Sequence, residues 1–330
     1  MPITIRSIVT GAAGFLGSHL VDLLMKEGHE VVAIDNEVNG SWKNLKQWQD
    51  NPRFKKVHMD ILDLQPNDDN FKNLDYVFHL AGLECPVTSL NKPEIFFSAN
   101  IQGTVKVLQA SKQSALKKFV FAGSSAIYGD ASTPTLETDS IGPMTPSCLT
   151  KSQAEETVLH WGEVFNIPTN SLRIFNAYGP RDLNKLYPGS AFSIWMKQKK
   201  SNHPLTIIGD GSNARDFVYC TDVANAFFIA ALEGKNGEVY NIGSGQAVTL
   251  NEFTDQLKGK KKYIKNKEDE PKKTWGDISK FQFHCNWQPR IPLASGIEFS
   301  LDAIDDWEDT PEWDEDGLNE FLKAWFEVYS

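Results

Sequence analysis

Apolar positions in the first half of the chain form short runs that alternate with longer amphipathic stretches. The short runs are rich in branched and aromatic residues and predict strands at 7–10, 30–34, 56–59, 75–80, 119–122 and 169–173. Between them, residues 16–27 and 101–114 carry apolar side chains at helical spacing. This alternation predicts an α/β fold with a doubly wound parallel sheet.

The pattern becomes irregular after Pro180, which indicates a second, smaller lobe. Strand-like segments return at 216–219 and 238–242, so we expect this lobe to be interleaved with the first. The predicted division gives the sheet domain residues 1–176 plus about 215–245, and gives the C-terminal lobe residues 177–214 and 246–300.

Residues 301–330 combine an acidic block with an apolar stripe. No basic residue occurs from Ile291 to Leu322, and nine acids lie between Asp302 and Asp316. Such a block by itself favours disorder. The apolar residues that follow at helical spacing are Leu318, Phe321, Leu322, Trp325 and Phe326. We therefore predict that the acidic tail ends in an amphipathic helix docked on the protein.

Composition limits the class of protein. With 330 residues, of which 41% are apolar, the chain can form one large domain with a smaller lobe. It has neither a leader-like start nor a run of eighteen apolar residues, so we expect no secretion and no membrane partner. The four cysteines are scattered, which disfavours zinc and disulfides and favours the cytoplasm.

The net charge of −10 disfavours nucleic acid as a partner, because binding a phosphate backbone needs a basic surface. A small anionic ligand needs only a few local cations. The basic run at 258–267 is one candidate patch, although a solvated surface segment is the more common interpretation of such a run.

A glycine-rich segment, Gly11-Ala12-Ala13-Gly14-Phe15-Leu16-Gly17, separates the first predicted strand from the first helix. Glycines at this point allow a tight turn and let a diphosphate approach the helix N-terminus. Asp35 follows Gly17 by eighteen residues, at the end of the second strand, where a carboxylate can accept both ribose hydroxyls. Asn36 comes next with no arginine to hold a 2′-phosphate, so the predicted cofactor is NAD.

Further motifs follow in order along the chain. They are Asp35-Asn36, Asp60-Ile61, His79-Leu80-Ala81-Gly82, Asn100, Ser124-Ser125-Ala126-Ile127-Tyr128-Gly129, Thr150-Lys151, Arg173-Ile174-Phe175-Asn176-Ala177-Tyr178-Gly179-Pro180-Arg181 and Arg215-Asp216-Phe217-Val218-Tyr219. Over about residues 5–300 this series resembles the extended short-chain dehydrogenase/reductases that act on nucleotide sugars, in particular the UDP-hexose 4-epimerases. The resemblance implies a Rossmann-type fold.

The same resemblance implies a set of cofactor contacts. These residues are Gly11, Gly14, Phe15, Leu16, Gly17, Asp35, Asn36, Asp60, Ile61, Leu80, Ala81, Gly82, Asn100 and Lys151. Asp60 and Ile61 would flank the adenine, Ala81 the phosphates, and Lys151 the nicotinamide ribose. His79, in contrast, is interpreted as a core histidine at the end of a buried strand.

In this family a serine or threonine, a tyrosine and a lysine share the catalytic work, with the last two arranged as Tyr-x-x-x-Lys. Four residues make one helical turn, so the two side chains share a face. Here Ser124 and Lys151 match the first and last positions, but the tyrosine position is Ser147. The neighbours match without a gap, so we interpret this as a substitution of the base.

A serine hydroxyl is a much weaker acid than a phenol and lies closer to the backbone, so Ser147 cannot replace tyrosine directly. Three explanations are open: Ser147 orders a relaying water, another group such as Cys148 or Ser124 serves, or the chain binds without turnover. We expect the Cys148 thiol to point away from the site, as a small buried apolar group.

The family also implies a substrate site. Asn176, Arg215 and Lys267 would hold a nucleotide diphosphate, although a lysine lacks the planar fork of arginine. An alternative for Arg215 is a salt bridge with Asp216 or Asp222.

Dehydratases of the family carry an Asp-Glu pair, and decarboxylases a Glu, where this chain has Ser125-Ala126. The leading hypothesis is therefore a C4 epimerase-like enzyme that acts on a nucleotide diphosphate sugar. The alternatives are a catalytically impaired binding or regulatory relative and a nucleotide-sugar 4-dehydrogenase or 4-keto reductase. The resemblance further implies a homodimer, paired through helices near 101–114 and 151–165.

Overall fold

The structure is a computed structural model that describes residues 4–183, 190–265, 270–307 and 310–329. Its first six strands alternate with helices: β1 (Arg6–Thr10), β2 (Glu30–Asp35), β3 (Phe54–His58), β4 (Tyr76–His79), β5 (Lys118–Ser124) and β6 (Thr169–Ile174). The later strands are short: β7 (Asn176–Tyr178), β8 (Leu205–Ile208), β9 (Ala214–Arg215), β10 (Phe217–Tyr219), β11 (Glu238–Ile242), β12 (Val248–Thr249), β13 (Lys261–Ile264) and β14 (Lys273–Thr274).

Seven of these strands form one parallel sheet in the order β11-β6-β5-β4-β1-β2-β3. The strand order reverses between β1 and β4, where Thr10 pairs with both Ile34 and His79. In a doubly wound sheet, ligands bind beyond the carboxyl ends of the strands at such a reversal. The predicted α/β fold with a doubly wound parallel sheet of Rossmann type is confirmed.

The described α-helices are α1 (Phe15–Lys26), α2 (Pro86–Asn91), α3 (Pro93–Phe96), α4 (Gly103–Ser111), α5 (Pro146–Phe165), α6 (Ala191–Lys200), α7 (Cys220–Glu233), α8 (Leu250–Leu257), α9 (Ser279–Cys285), α10 (Leu293–Asp302) and α11 (Glu315–Tyr329). A π-helix, Phe97–Gln102, precedes α4, so the predicted helix 101–114 both begins and ends earlier than expected. Among the described residues, no helix is long and apolar enough to cross a membrane.

Helices cover both faces of the central sheet. Residues of α1 and α7, such as Leu20 and Phe227, share one buried cluster with Val9 of β1. Leu108 of α4 and Val158 of α5 belong to a second cluster on the other face. Burial on both faces explains why the central strands are continuous apolar runs.

A second lobe contains the short sheets, in which β7 pairs with β10, β8 with β13, and β9 lies between β12 and β14. Its core is aromatic and includes Tyr178, Phe192, Trp195, Phe253 and Trp307. The chain returns from this lobe to the central sheet at β11, so the two parts are interleaved along the sequence.

The predicted strand at 216–219 begins one residue later in the structure, at Phe217. Arg215 ends β9 and Phe217 begins β10, and these two strands lie in different sheets. Between them, the buried carboxylate of Asp216 accepts hydrogen bonds from the backbone of Ser244, Gly245 and Gly276. The prediction is therefore confirmed for residues 217–219 and wrong for Asp216, because this carboxylate is turned towards donors from neighbouring loops.

The tail forms α11, whose buried side chains Leu318, Leu322 and Trp325 share a cluster with Val87 of α2. The Tyr329 hydroxyl also donates a hydrogen bond to the carbonyl oxygen of Met144, just before α5. The described part of the acidic tail therefore ends in a helix docked beside the first part of the chain.

Candidate active site

One cleft opens beyond the carboxyl ends of the central strands, between the sheet and the second lobe. Its lining contains the following predicted site residues: Gly11, Gly14, Phe15, Leu16, Gly17, Asp35, Asn36, Asp60, Ile61, Leu80, Ala81, Gly82, Ser124, Lys151, Asn176 and Arg215. Two others, Asn100 and Ser147, lie behind the cleft wall. Lys267 is outside the described residues.

The glycine turn between β1 and α1 has the shape of a diphosphate cradle. Gly11 has φ +70°, and a Cβ on Gly17 would overlap the carbonyl group of Gly11. Gly14 caps α1 without a side-chain hydrogen bond, so the first turn of the helix faces the cleft uncovered. Such a turn offers backbone N–H groups and a positive helix end to an anion, which fits a dinucleotide.

Asp35 lies at the end of β2 with both carboxylate oxygens already held by backbone donors. Ala13 N–H donates to one oxygen at 3.0 Å and Glu37 N–H to the other at 2.6 Å. Burial raises the pKa of Asp35, and these two donors oppose that shift. Each oxygen keeps a further lone pair, so the carboxylate can still accept ribose hydroxyls. Glu37, two residues on, adds negative charge that disfavours a 2′-phosphate.

The Asp60 carboxylate continues this edge of the cleft. It accepts hydrogen bonds from the Asn36 side chain at 2.8 Å and from Leu62 N–H at 2.9 Å. The two bonds hold Asn36 and the Ile61 turn in place, which shapes the end of the cleft where an adenine is expected.

Asn100 supports the cleft wall instead of lining it, which differs from its predicted cofactor contact. Its side-chain oxygen accepts Leu83 N–H at 2.7 Å, and its amide donates to the Leu83 carbonyl oxygen at 2.9 Å and to the Thr150 hydroxyl at 2.9 Å. The residue therefore joins the loop after β4 to α5. Because its amide nitrogen already donates to two partners, Asn100 holds the cleft wall in position.

His79 is a core histidine, as expected. Its ring is fully buried and hydrogen-bonds the hydroxyl groups of Thr10 at 2.7 Å and Thr104 at 2.9 Å. Burial lowers the pKa of His79 to about 3, so the ring is neutral and links β1, β4 and α4.

Lys151 enters the cleft from the second turn of α5. This helix begins at Thr145, whose hydroxyl accepts Cys148 N–H, and has Pro146 at its first position. The Lys151 ammonium donates to the Ala122 carbonyl oxygen at 2.7 Å. Burial lowers its pKa, and the carboxylates of Glu84 and Glu155 act in the opposite direction.

Ser147 does not face the cleft. Its side chain is buried, and its hydroxyl oxygen accepts a hydrogen bond from Cys85 N–H at 3.2 Å. In place of a predicted catalytic contact, the structure shows the serine hydroxyl holding the backbone of the loop after β4. Ser147 is absent from the residues that line the cleft.

Cys148 is a small buried residue, as expected, and it also forms part of the cleft lining. The Thr145 hydroxyl donates to the Cys148 sulfur at 3.2 Å. Burial raises the pKa of the Cys148 thiol, so the thiolate form is disfavoured. The side chain is a neutral part of the wall.

Ser124, at the end of β5, donates a hydrogen bond from its hydroxyl to the Glu84 carboxylate at 2.6 Å. The same hydroxyl accepts Ala126 N–H at 3.2 Å. Glu84 is exposed within the cleft lining. Glu84, five residues beyond His79, was not among the predicted site residues. An acid just after a central strand, in a chain that lacks the expected tyrosine, is the signal that would have found it.

Arg215 lies on the second lobe and faces the cleft. Its guanidinium contacts the Glu270 carboxylate at 3.5 Å and donates to the Ala214 carbonyl oxygen at 2.9 Å. The alternative salt bridges with Asp216 and Asp222 are absent from the contacts of the described residues. Asn176, at the start of β7, lines the same part of the cleft.

Comparison with known proteins identifies the family. A model described as the NAD dependent epimerase/dehydratase family matches residues 7–243. The putative UDP-glucose 4-epimerase of Methanocaldococcus jannaschii is 35% identical over 300 residues, covering 88% of this chain and 95% of that protein. UDP-glucuronic acid decarboxylase 1 of Arabidopsis thaliana is 32% identical over 305 residues, covering 89% of this chain and 68% of that protein.

A solved structure shows the same architecture. The crystal structure of UDP-glucuronic acid 4-epimerase from Bacillus cereus, in complex with UDP-glucuronic acid and NAD, matches with a TM-score of 0.85 at 33% identity. The match covers 91% of this chain and 99% of that one. The cradle, the Asp35 edge and the family model agree, and the chain is an NAD-dependent enzyme that belongs to the NAD dependent epimerase/dehydratase family.

Proposed function

We propose that this enzyme epimerises a UDP-sugar at C4 by transient oxidation. The observation that carries the proposal is the cleft in which Ser124 and Lys151 stand beside the glycine turn. Similarity to 4-epimerases that act on UDP-sugars supports the substrate class.

The cofactor would lie along the carboxyl edge of the sheet. Bound NAD supplies a hydride acceptor and returns the hydride later. The glycine turn would hold its diphosphate, Asp35 its adenosine ribose, and Lys151 the ribose near the reacting end. Lys151 is already oriented by the Ala122 carbonyl oxygen, so little side-chain ordering is needed when the cofactor binds.

The UDP part of the substrate would occupy the face contributed by the second lobe. The Arg215 guanidinium is planar and suits two parallel bonds to a diphosphate. Its 3.5 Å contact with Glu270 is long enough for a phosphate to compete for the guanidinium. Asn176 would add a neutral donor beside it. The proposed contact of Lys267 lies outside the described residues.

The region near the reacting carbon favours epimerisation over elimination or decarboxylation. Ser125 and Ala126 line the cleft directly after Ser124, and neither supplies the carboxylate that dehydratases and decarboxylases of the family carry at these positions. A UDP-glucuronic acid decarboxylase is among the similar proteins, so family membership does not separate these reactions. The Ser125-Ala126 pair is what supports the epimerase.

The test is incubation of the purified enzyme with UDP-glucose, UDP-galactose, UDP-glucuronic acid and UDP-N-acetylglucosamine, followed by chromatography of the products. We expect one substrate to be converted to its C4 epimer without added cofactor. A product that has lost water or carbon dioxide, or no product from any sugar that binds, would contradict the proposal.

The same test distinguishes two alternative functions. A binding or regulatory role is favoured by the backbone contact of Ser147, which removes the expected base; it predicts binding of UDP-sugar without any product. A 4-dehydrogenase would release reduced cofactor, and a 4-keto reductase would consume it. In each case the amount would equal that of the substrate converted.

We also propose that the enzyme is a cytoplasmic homodimer. Two adjacent helical segments, Phe97–Gln102 and α5, expose Phe97, Val164 and Phe165 to solvent. Apolar side chains on neighbouring helices suit a two-fold contact between identical copies. The four cysteines are buried and form no disulfide, as a reducing compartment permits.

A further inference from the structure

We propose that Glu84 is the proton acceptor of this enzyme, in place of the tyrosine that its family uses. The proposal deepens the proposed function and rests on it for the choice of substrate. It assigns the proton transfer to the exposed Glu84 carboxylate, because the Ser147 hydroxyl bonds the backbone of Cys85.

The hydrogen bond between Ser124 and Glu84 places the carboxylate at the reacting end of the cleft. Ser124 donates to it at 2.6 Å, a short bond typical of a hydroxyl donating to a charged oxygen. Burial lowers the pKa of Lys151, and the nearby Glu84 carboxylate opposes that shift. Serine, lysine and carboxylate therefore form one group of interacting side chains, with the carboxylate in the role of the absent phenol.

The loop that carries Glu84 is fixed on both sides. Asn100 holds both backbone groups of Leu83, at 2.7 and 2.9 Å. Ser147 holds Cys85 N–H at 3.2 Å. Glu84 lies between these two anchored residues, so its side chain starts from a rigid backbone. Ser147, which stands at the tyrosine position of the family, thus serves as a positioning residue for the Glu84 carboxylate.

The other candidates in the cleft are less suited to accept a proton. The Cys148 sulfur is held by Thr145, and burial raises the pKa of its thiol. Ser124 donates its own proton to Glu84, so it can pass a substrate proton onward only to that carboxylate. The other acids that line the cleft have partners elsewhere: Asp35 and Asp60 at the adenosine end, Asp182 with the Ser190 hydroxyl, and Glu270 with Arg215 on the second lobe.

The proposed step transfers one hydride and one proton from the C4 position of the sugar. The C4–H bond of the sugar breaks and its electron pair leaves as hydride to the nicotinamide of NAD. The C4 hydroxyl proton moves to the Glu84 carboxylate, directly or through the Ser124 hydroxyl, and C4=O forms. In the return step the carboxylic acid gives the proton back to the oxygen as hydride adds to the other face. A carboxylate needs no neighbouring cation to be ionised at neutral pH, whereas a phenol does.

The experiment compares the full-length wild type with Glu84→Gln and Glu84→Ala. Glu94→Gln is the control, because Glu94 is an exposed acid of α3 that is absent from the cleft lining. Reduction of bound NAD after mixing with the converted UDP-sugar is followed by stopped-flow absorbance. Calorimetric binding of NAD and of UDP is measured for each variant as a readout independent of turnover.

We expect both Glu84 variants to reduce bound NAD about 10²–10⁴-fold more slowly than wild type, the usual contribution of a general base. Binding of NAD and UDP should be unchanged, and Glu94→Gln should behave as wild type. Added formate or acetate should restore the rate in Glu84→Ala, where the side chain leaves space, and restore less in Glu84→Gln.

Wild-type rates in Glu84→Gln would overturn the assignment. So would slow reduction accompanied by lost NAD binding and no rescue by formate, since both would then reflect a damaged fold. Failure of the proposed function is distinguishable: a wild type that reduces its NAD but yields no epimer contradicts epimerisation while the Glu84 comparison still stands. A wild type that binds UDP-sugars and never reduces its NAD overturns both.

Discussion

At the residue scale, the side chain of Ser147 supports the loop after β4. Its hydroxyl oxygen accepts a hydrogen bond from Cys85 N–H at 3.2 Å, behind the cleft wall. Short polar side chains commonly bond nearby backbone groups in this way. The proton transfer expected of a tyrosine at position 147 can then pass to Glu84. The backbone on both sides of Glu84 is held by hydrogen bonds.

Selectivity for NAD can be tested at Asp35. Replacing Asp35 by Ala removes the acceptor for the ribose hydroxyls, which should cost about 1–3 kcal/mol of NAD binding and narrow the preference over NADP. Asp63→Ala is the control, because Asp63 is an exposed carboxylate in the turn after Asp60 that does not line the cleft. Titration calorimetry with both cofactors measures the ratio. An unchanged ratio would show that the carboxylate serves only its backbone donors.

Acid stability can be tested at His79. Burial lowers the pKa of His79 from 6.5 to about 3, so the folded ring stays neutral at pH values where the unfolded chain is protonated. The unfolded state then binds one proton more, and stability falls as pH decreases from about 6.5 towards 3, by about 1.4 kcal/mol per pH unit.

The comparison variant is His79→Asn, which keeps polar atoms near Thr10 and Thr104 but does not titrate. Urea unfolding at pH 7 and pH 5.5 should show a larger loss of stability for wild type than for the variant. Equal losses would mean that His79 is protonated in the folded protein.

At the scale of elements, helix α5 sets the geometry of the site. Successive turns carry Ser147, Lys151 and Glu155, which therefore share one face towards β5 and β6. Glu155 forms a buried salt bridge with Arg173 of β6 at 2.7 Å and also accepts the Ser171 hydroxyl at 2.7 Å. This pairing fixes the rotation of the helix and, through it, the direction of Lys151.

The terminal helix α11 should stabilise the part of the chain that carries the Glu84 loop, because its buried face packs beside α2. Leu322→Ala removes a buried side chain and should lower the free energy of unfolding by about 2–5 kcal/mol. Val328→Ala, on the exposed side of the same helix, should change it by less than about 0.5 kcal/mol. Chemical denaturation followed by tryptophan fluorescence compares the two; equal effects would argue against docking of this face.

At the scale of the whole molecule, the cleft exists only because the two interleaved parts of the chain meet. The sheet domain contributes the glycine turn, Ser124 and Lys151, whereas the second lobe contributes Arg215. The return of the chain to β11 ties the lobe to the sheet at two points in sequence, which holds the two faces of the cleft together.

The proposed homodimer is testable through its apolar surface. Val164→Asp places a charge on the exposed end of α5 and should convert a dimer to a monomer in light scattering at micromolar concentration. Phe283→Asp is the matched control, since Phe283 is also an exposed apolar residue but lies on α9. A monomeric wild type, or dissociation by both variants alike, would count against this interface.

The sequence by itself determined the class of fold and most of the cofactor side of the cleft. Alternating apolar runs and amphipathic stretches are local patterns, and so is the glycine turn followed by an acid at the end of the next strand. Because parallel strands end at one edge of the sheet, the order of motifs was enough to bring Gly11, Asp35 and Ser124 to one cleft. The lack of tyrosine at position 147 was also visible in one line of sequence.

The tertiary structure decided which groups face the cleft. The Ser147 hydroxyl, the Asn100 amide and the Glu84 carboxylate are set by hydrogen bonds between segments far apart in sequence, such as the pair of Ser124 with Glu84. The break between β9 and β10 at Asp216 likewise depends on donors from Ser244 and Gly276. Hydrogen-bond partners satisfy buried groups wherever the fold brings them, and a periodic pattern along the chain carries no information about such distant donors.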